Sequence, residues 1–373
     1  MIRFDCRHHR AARPCDFNKL DGSECPACTH VAPFEDRVLF IKLDAIGDVL
    51  RTASLLPAVA ARHRRPFIAW ATRPEAAELV GMMALVDEVI PLAPEGLARI
   101  ATGGWTQVYS LSNDAESAAL ATLAAGTRPP VGFHAVRGVV TPSNDAARAW
   151  LEMAAFDRLK RANTATYQAR MLAILGAAGP PPRPALRLPP ALHAAAAVRV
   201  AHLFGVRPRR LVAINLGAGT RWPKKMLDSV PIARCIQAVC AHSDAAVLLV
   251  GGAGEQAKAE AVRAQCDPAR VALALTPEGV GAFVAMLAQA DALLCGDTLA
   301  LHVATAIGLP AVAVFGPTSH AEIEDFGGLI DKVFTRALDC LCCYGDCTKT
   351  ENCMTLLDPA DLAQRLLARL PAA

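Results

Sequence analysis

A carboxylate stands where the apolar pattern of the sequence changes, in the stretch IKLDAIGDVLRT at residues 41–52. The pattern predicts a buried strand before the turn and an amphipathic helix after it. Gly47 permits a tight turn and the close approach of a ligand, and Asp48 follows in the first turn of the helix. Asp48 is then either a carboxylate that caps the helix or a general base that takes a proton from a hydroxyl group. Asp44 is a competitor for the second role, or a plain turn residue.

Glycines and cations come together in the stretch INLGAGTRWPKKM, residues 214–226. Glycines leave backbone N–H groups open to a ligand and the cations add positive charge, which favours binding of a diphosphate. The alternative is a loop with solvated lysines, because a single pair of glycines is a weak signal. The candidate anion ligands are Gly217, Gly219, Thr220, Arg221, Lys224 and Lys225.

Two further strand ends carry polar residues. Glu255 follows a strand that ends in two glycines, and it either accepts hydrogen bonds from ribose hydroxyls or starts a helix without further function. In LLCGDTLALH, Asp297 and Thr298 follow a buried strand and are placed to cap the next helix. The N-terminus of that helix can bind a phosphate. His302 lies one turn along on the side of Thr298, and a structural histidine is the alternative interpretation.

The chain has 13 cysteines, of which nine fall in two clusters. The C-terminal spacing C-x2-C-x3-C-x5-C is typical of a tetrahedral thiolate site for zinc or iron, with free thiols as the alternative. The N-terminal arm has too few apolar residues to fold on burial alone, so a metal would help to hold it. The predicted ligands are Cys340, Cys343, Cys347 and Cys353 in one cluster and Cys6, Cys15, Cys25 and Cys28 in the other, with His8, His9 or His30 as substitutes.

The composition is that of a globular protein. The 373 residues are 53% hydrophobic and 20% charged, and this length predicts two or three domains. A net charge of +3 is too small to predict a nucleic-acid partner. No apolar run is long enough to span a bilayer, and the basic N-terminus lacks the apolar core of a signal peptide. These features predict a cytoplasmic protein whose cysteines do not form disulfides.

Strands alternate with helices on both sides of a proline-rich stretch, residues 176–190, which is predicted to be a linker. The predicted strands are 38–43, 67–71, 88–92, 108–112 and 131–133 before it, and 211–216, 247–251, 292–295 and 311–315 after it. A helix is predicted over 49–62. The alternation predicts two doubly wound α/β domains with parallel sheets. Ligands of such sheets bind outside the carboxyl ends of the strands, so the expected site is a cleft between the domains.

Two stretches, KLDAIGDVLRTASLLPAV and ADALLCGDTLALHVATAIGLPAVAVFGPTS, together resemble glycosyltransferase family 9, the ADP-heptose:lipopolysaccharide heptosyltransferases and their relatives. The resemblance runs from about Arg37 to the C-terminus. It implies a GT-B fold, in which two Rossmann-like domains face one another across a cleft. The domains expected from it are a cysteine-rich arm at 1–35, an acceptor domain at 36–185, a nucleotide-sugar domain at 186–335, and a cysteine finger with a final helix at 336–373.

The resemblance also implies roles for the candidate residues. Asp48 is the expected catalytic base of an inverting displacement that needs no catalytic metal. Asp297, Thr298 and His302 are expected to contact the donor diphosphate, and Glu255 to lie near the nucleoside. The C-terminal cysteines resemble the cysteine finger of autotransporter heptosyltransferases, where the metal is iron, although zinc accepts the same four thiolates.

Two positions depart from the family pattern. Thr220 stands where relatives often have a lysine that contacts the donor, which leaves Arg221, Lys224 or Lys225 to take over. Leu299 follows the Asp-Thr pair where many relatives have glycine. The second departure indicates a subgroup rather than an enzyme of the lipopolysaccharide core.

The predicted function is transfer of a sugar, heptose by resemblance, from an ADP-heptose-like donor to a hydroxyl on a glycan, lipopolysaccharide, lipid-linked saccharide or protein. A GT-B sugar-nucleotide epimerase and a catalytically inactive, metal-stapled binding protein are the alternatives. Neither a transmembrane segment nor a nucleic-acid partner is predicted. Peripheral attachment to the inner membrane and the oligomeric state stay open.

Overall fold

The computed structural model describes residues 1–10, 12–126, 128–217 and 222–372. The chain forms two compact units, and neither is one continuous stretch of sequence. The first unit comprises Met1–Ala45, Leu55–Glu152 and Arg170–Pro182, and the second comprises Ile46–Ser54, Met153–Ala169 and Arg183–Ala373. The short segment that carries Asp48 therefore belongs to the second unit, although the strand before it belongs to the first.

The first unit contains a six-stranded sheet. Its strands are β1 Arg37–Ile41, β2 Phe67–Thr72, β3 Glu88–Pro91, β4 Gln107–Ser110, β5 Val131–Val136 and β6 Val139–Pro142. They lie in the order β3-β2-β1-β4-β5-β6. Neighbouring strands are parallel except β5 and β6, which form an antiparallel pair.

The second unit contains a six-stranded sheet that is parallel throughout. Its strands are β7 Leu211–Asn215, β8 Ala246–Gly251, β9 Val271–Leu275, β10 Ala292–Gly296, β11 Ala311–Val314 and β12 Ile330–Val333. They lie in the order β12-β11-β10-β7-β8-β9. Counted within its own unit, each sheet has the order 3-2-1-4-5-6 of doubly wound folds, which confirms the predicted α/β class with two mainly parallel sheets.

Helices connect the strands. They are α1 Asp16–Asp21, α2 Ile46–Thr52, α3 Leu56–Ala60, α4 Ala77–Gly81, α5 Pro94–Thr102, α6 Ala115–Ala124, α7 Asp145–Ala155, α8 Asp157–Ala162, α9 Tyr167–Ile174, α10 Pro190–Phe204, α11 Ser229–His242, α12 Gln256–Arg263, α13 Val280–Leu287, α14 Leu299–Ile307 and α15 Pro359–Leu367. Most lie between parallel strands, as right-handed crossovers require.

The structure differs from the sequence prediction in two respects. The helix predicted over 49–62 is broken into α2, a 3-10 turn at Ala53–Leu55, and α3. Pro57 explains the break, because it lacks an N–H and lies in the first turn of α3. The nine predicted strands are all present with shifted ends, but β6, β9 and β12 were not predicted. β12 reads IDKV, and its two charged residues hide the apolar pattern.

The core of the first unit is built on its central strands. All six residues of β2 are buried, and the Trp70 ring stacks on Phe40 of β1 with 4.9 Å between centroids. Phe40 also stacks on Tyr109 of β4 at 5.4 Å. One aromatic side chain thus joins the three middle strands.

Replacing Phe40 with alanine should lower the free energy of unfolding by about 3–5 kcal/mol, because it removes a fully buried ring and leaves a cavity. Denaturant titration of the purified protein measures this change. Phe156→Ala is the matched control, since that ring is 51% exposed and its removal should cost far less. Equal losses for the two variants would contradict the described core.

Candidate active site

Polar side chains gather where the strand order of the second sheet reverses, at the carboxyl ends of β7 and β10. β7 ends at Asn215, and β10 is followed directly by Asp297 and Thr298. The Asn215 amide donates to the Thr298 hydroxyl over 3.2 Å and to the Gly217 carbonyl over 2.9 Å. Doubly wound sheets bind their ligands at this kind of position. Asn215 was not predicted, and its place at the end of an apolar strand was the available signal.

Thr298 is the N-cap residue of α14, but the predicted side-chain cap is wrong. The backbone of Thr298 is extended, as in most N-caps, yet its hydroxyl makes no capping hydrogen bond. The hydroxyl accepts a hydrogen bond from Asn215 instead. The first N–H groups of a helix have no partner within that helix, so this end of α14 is suited to an anion.

Lys225 is the cation that lies against Asp297. Its ammonium group donates to the Asp297 backbone carbonyl over 3.0 Å and lies 3.3 Å from the carboxylate. Burial acts to raise the pKa of the Asp297 carboxyl, but Lys225, His302 and Arg51 outweigh it, and the pKa lies below its usual value. Lys224 points elsewhere and pairs with Asp228 at 3.0 Å. The sequence offered no reason to prefer either lysine as an anion ligand, whereas in the structure only Lys225 of the two contacts Asp297.

His302 of α14 is buried, with only 7% of its surface exposed. Its Nε2 lies 4.0 Å from a carboxylate oxygen of Asp297. Burial lowers the pKa of His302 to about 4, and Arg51 acts in the same direction. The imidazole is therefore neutral near pH 7, with one N–H to donate and one nitrogen to accept.

Gly47 lies directly against that imidazole. A Cβ placed on Gly47 would lie 2.8 Å from Cδ2 of His302, which is closer than such contacts occur. In the structure the close neighbour of Gly47 is a side chain of the same unit, His302, and the predicted approach of a ligand stays a prediction. α2 and α14 pack together at this point, so the helices of Asp48 and His302 are neighbours within the second unit.

Asp48 is held by a neighbour on its own helix, three residues along. Its carboxylate lies 2.7 Å from the Arg51 guanidinium, and the two side chains are 35% and 13% exposed. Burial acts to lower the pKa of Arg51, but Asp48, then Tyr167, Glu322 and Asp297, outweigh it and raise the pKa above its ordinary value. The Arg51 guanidinium also lies over the Tyr167 ring, 3.8 Å from its centroid. Arg51 was not predicted, although its i,i+3 spacing from Asp48 was visible.

The Glu255 carboxylate holds the backbone that follows β8. One carboxylate oxygen accepts a hydrogen bond of 2.8 Å from the Gly252 N–H. A Cβ on Gly217 would lie 3.1 Å from the other oxygen, and one on Gly251 would lie 3.1 Å from the Glu255 Cβ. Both glycines therefore leave room for this carboxylate beside the strand ends. A contact with a ribose stays a prediction.

Three predicted anion ligands, Gly219, Thr220 and Arg221, lie outside the described residues. Asp44, the competing base, belongs to the first unit. It lies 2.9 Å from the Lys42 ammonium, and it accepts a hydrogen bond from Ser112. These two contacts form at the carboxyl ends of β1 and β4, the reversal point of the first sheet.

Three thiols of the C-terminal cysteine cluster affect the fourth, Cys353, electrostatically. Burial raises the pKa of Cys353, and the Cys347, Cys343 and Cys340 thiols add to the effect. The Lys349 ammonium lies 3.3 Å from the Cys340 sulfur. Within the described ranges, no group of three or more histidine, cysteine, aspartate or glutamate side chains is arranged to hold a metal ion. The thiol groups fit a thiophilic metal by their chemistry, but in the part of the chain that the structure describes they do not converge on one point.

The N-terminal arm surrounds a cavity of about 410 Å³. Of the described residues in 1–35, only Cys6 is buried, and α1 buries no residue. The arm therefore lacks an apolar core, as its sequence predicted. The cavity is lined by thiols and imidazoles, among other groups: Cys6, Cys15, Cys25, Cys28, His8, His9 and His30.

Among the described residues, no helix combines the length and the apolar character needed to cross a bilayer.

Comparison with known proteins gives a consistent result. The sequence profile of glycosyltransferase family 9 (heptosyltransferase) matches residues 98–352, while no curated protein matches the chain in sequence. The fold is similar to that of E. coli ADP-heptose LPS heptosyltransferase II, with 17% identity, coverage of 89% of this chain and 98% of that chain, and a TM-score of 0.68. A family 9 glycosyl transferase from Veillonella parvula gives 15% identity, 90% and 98% coverage, and a TM-score of 0.70. The iron-containing dodecameric glycosyltransferase TibC from enterotoxigenic E. coli gives 11% identity, 93% and 80% coverage, and a TM-score of 0.50.

The profile match covers more than half of the chain. It includes Glu255, Asp297 and His302, and it ends within the cysteine-rich C-terminal segment. Asp48 precedes the matched residues, but its helix packs against the helix of His302, which they include. The chain therefore belongs to glycosyltransferase family 9 and is a glycosyltransferase.

Proposed function

We propose that this glycosyltransferase moves a heptose from an ADP-heptose-like donor to an acceptor hydroxyl, with inversion at the anomeric carbon. The observation that carries the proposal is the joint presence, in one unit, of a carboxylate for the acceptor and an anion site for the donor. Asp48 supplies the first, and the N-terminus of α14 with Lys225 supplies the second. His302 touches both parts, because its Nε2 lies 4.0 Å from Asp297 and its ring lies against Gly47, the residue before Asp48.

The donor diphosphate is proposed to bind at the start of α14. The N–H groups of that helix end and the Lys225 ammonium offer hydrogen bonds and positive charge. Neutral His302 can donate one further N–H without adding charge. Gly217, Gly219, Thr220 and Arg221 are proposed to contact the diphosphate, and the Glu255 carboxylate the ribose. The heptosyltransferase neighbour is described as an ADP-heptose enzyme, which supports ADP-heptose as the first donor to test.

Asp48 is proposed as the catalytic base. Its carboxylate takes the proton of the acceptor hydroxyl while the hydroxyl oxygen forms a bond to the anomeric carbon. The bond from that carbon to the diphosphate oxygen breaks on the opposite face, and ADP leaves with the electron pair. Helix N–H groups and Lys225 stabilise the negative charge that grows on the departing diphosphate.

The acceptor is proposed to be a hydroxyl on a glycan, lipopolysaccharide or protein. The first unit is proposed to recognise it. We also propose that each cysteine cluster holds a structural iron or zinc ion. The C-x2-C-x3-C-x5-C spacing of the C-terminal cysteines, and the thiol- and imidazole-lined cavity of the arm, support this. Neither metal takes part in the proposed transfer step.

Asp48→Asn should lower turnover about 10²–10⁴-fold, the usual contribution of a general base, and leave ADP binding nearly unchanged. Initial rates of ADP release from ADP-heptose in the presence of an acceptor measure turnover, and calorimetry measures ADP binding. Asp44→Asn is the matched control and should stay within a few-fold of the wild-type rate. If Asp44→Asn loses the activity and Asp48→Asn keeps it, the base is misassigned.

Lys225→Gln should weaken ADP binding about tenfold or more, because it removes a charge-assisted hydrogen bond to the diphosphate. Lys224→Gln, whose lysine pairs with Asp228 in the free protein, should change the dissociation constant less than twofold. Isothermal titration with ADP compares the two variants. A larger loss for Lys224→Gln would place the diphosphate elsewhere.

Protein purified without air should contain iron or zinc, measured by mass spectrometry of the elements. Cys347→Ser and Cys353→Ser should each reduce the metal content and the thermal stability, since structural thiolate sites contribute to folding. Cys240→Ser changes a cysteine outside both clusters and should retain the full metal content. Wild-type protein without bound metal would rule out both sites.

A further inference from the structure

Tyr344 connects the cysteine segment to the active site. It lies between Cys343 and Cys347 in sequence, but its hydroxyl donates to a carboxylate oxygen of Glu322 over 3.0 Å. The same hydroxyl accepts a hydrogen bond of 3.3 Å from the Ser319 N–H. The Tyr344 side chain therefore fixes both the loop after β11 and the carboxylate that follows it.

The Tyr344 ring is held from two sides within the second unit. The Lys160 ammonium lies 4.6 Å from the ring centroid, and the Trp222 ring meets it edge-on at 5.8 Å. Trp222 belongs to the stretch RWPKK that also carries Lys225. Contacts of this kind limit the rotation of the tyrosine and thereby the position of its hydroxyl.

The backbone around Tyr344 is in an unusual conformation. Cys342 and Tyr344 have φ angles of +57° and +50°, a region that non-glycine residues rarely occupy. The Cys342 N–H donates to the Gly316 carbonyl over 3.0 Å, and the Tyr344 N–H donates to the Pro317 carbonyl over 2.8 Å. Strain of this kind persists only where surrounding contacts impose it, and it is concentrated at functional sites.

Glu322 follows β11, which pairs with β10, so it lies beyond the same edge of the second sheet as Asp297. The charges of Arg51, Asp297 and Asp48 all act on its carboxyl group, whose pKa burial raises above its ordinary value. Tyr344 occupies one carboxylate oxygen, Oε1. Glu322 is only partly buried, and among the described residues its other oxygen, Oε2, makes no hydrogen bond. Oε2 can therefore accept a hydrogen bond from a ligand.

We propose that Glu322 determines specificity for the donor sugar by accepting a hydrogen bond from one of its hydroxyl groups at Oε2, and that Tyr344 is its positioning residue. This inference rests on the proposed function, because it requires a nucleotide-sugar at the start of α14. A carboxylate suits the task, since it accepts from hydroxyl groups strongly and directionally. The positioning of Glu322 by Tyr344 also gives the cysteine segment a role at the active site, because that segment supplies Tyr344.

The test compares the binding of ADP with that of ADP-heptose by calorimetry. The ratio of the two dissociation constants measures what the sugar contributes. Glu322→Gln should reduce this contribution about tenfold or more, as expected for a hydrogen bond to a charged group, and should change ADP binding less than twofold. Tyr344→Phe removes only the hydroxyl, keeps the ring contacts, and should reduce the same ratio.

A double-mutant cycle separates positioning from a general structural effect. The Glu322→Gln, Tyr344→Phe double variant should lose no more than Glu322→Gln alone, because the tyrosine acts through the glutamate. Glu324→Gln is the matched control. That carboxylate lies two residues along and accepts from Thr166 at 3.0 Å, so its loss should leave the ratio unchanged. Thermal unfolding of each variant checks that the fold is retained.

An unchanged ratio in folded Glu322→Gln protein would overturn the inference and leave the proposed function intact. A loss of turnover as large as that of Asp48→Asn, with unchanged binding of the sugar, would also overturn it by making Glu322 a base. Wild-type protein that binds neither ADP nor ADP-heptose would reject the proposed function, and this inference with it.

Discussion

The guanidinium group of Arg51 is the charge around which the active site is organised. Its side chain is only 13% exposed, and a cation at such a position needs carboxylates nearby because burial removes its hydration. Asp48 is the direct partner, while Asp297 and Glu322 act on Arg51 from a greater distance. The same positive charge helps to keep His302 neutral. Arg51 thus couples three proposed parts of the site electrostatically. They are the base Asp48, the phosphate-binding helix α14 and the sugar contact Glu322.

The strand order explains why these groups meet. Two neighbouring parallel strands whose connections leave in opposite directions open a space at their carboxyl ends. In the second unit β7 and β10 are those strands, and Asn215 joins them through Thr298. α2 adds Asp48 and Arg51 by packing on α14, where Gly47 allows contact with His302. The polar groups of this family 9 glycosyltransferase thus lie where the strand order of the second sheet reverses.

Residues that follow a strand and a turn signal were predictable from the sequence. Gly47, Asp48, Asp297 and Thr298 were proposed in this way. The structure places them near His302, and their roles in the reaction stay predictions. Arg51 was missed because a cation in an amphipathic helix is usually solvated, whereas here its guanidinium packs on Tyr167, which is distant in sequence. Tyr344 was missed because it reads as a spacer between cysteines, and its role depends on Glu322 of another segment. The spacing of cysteines predicted metal ligands, but it does not determine how their sulfur atoms converge.

The stereochemistry of transfer tests the central claim most directly, since it reports the face from which the acceptor attacks. Proton NMR during the first turnovers of ADP-heptose identifies the anomeric configuration of the new glycosidic bond, or of free heptose where water is the acceptor. A base at Asp48 opposite a diphosphate held by α14 and Lys225 predicts the configuration opposite to that of the donor. A product that retains the donor configuration would contradict this account.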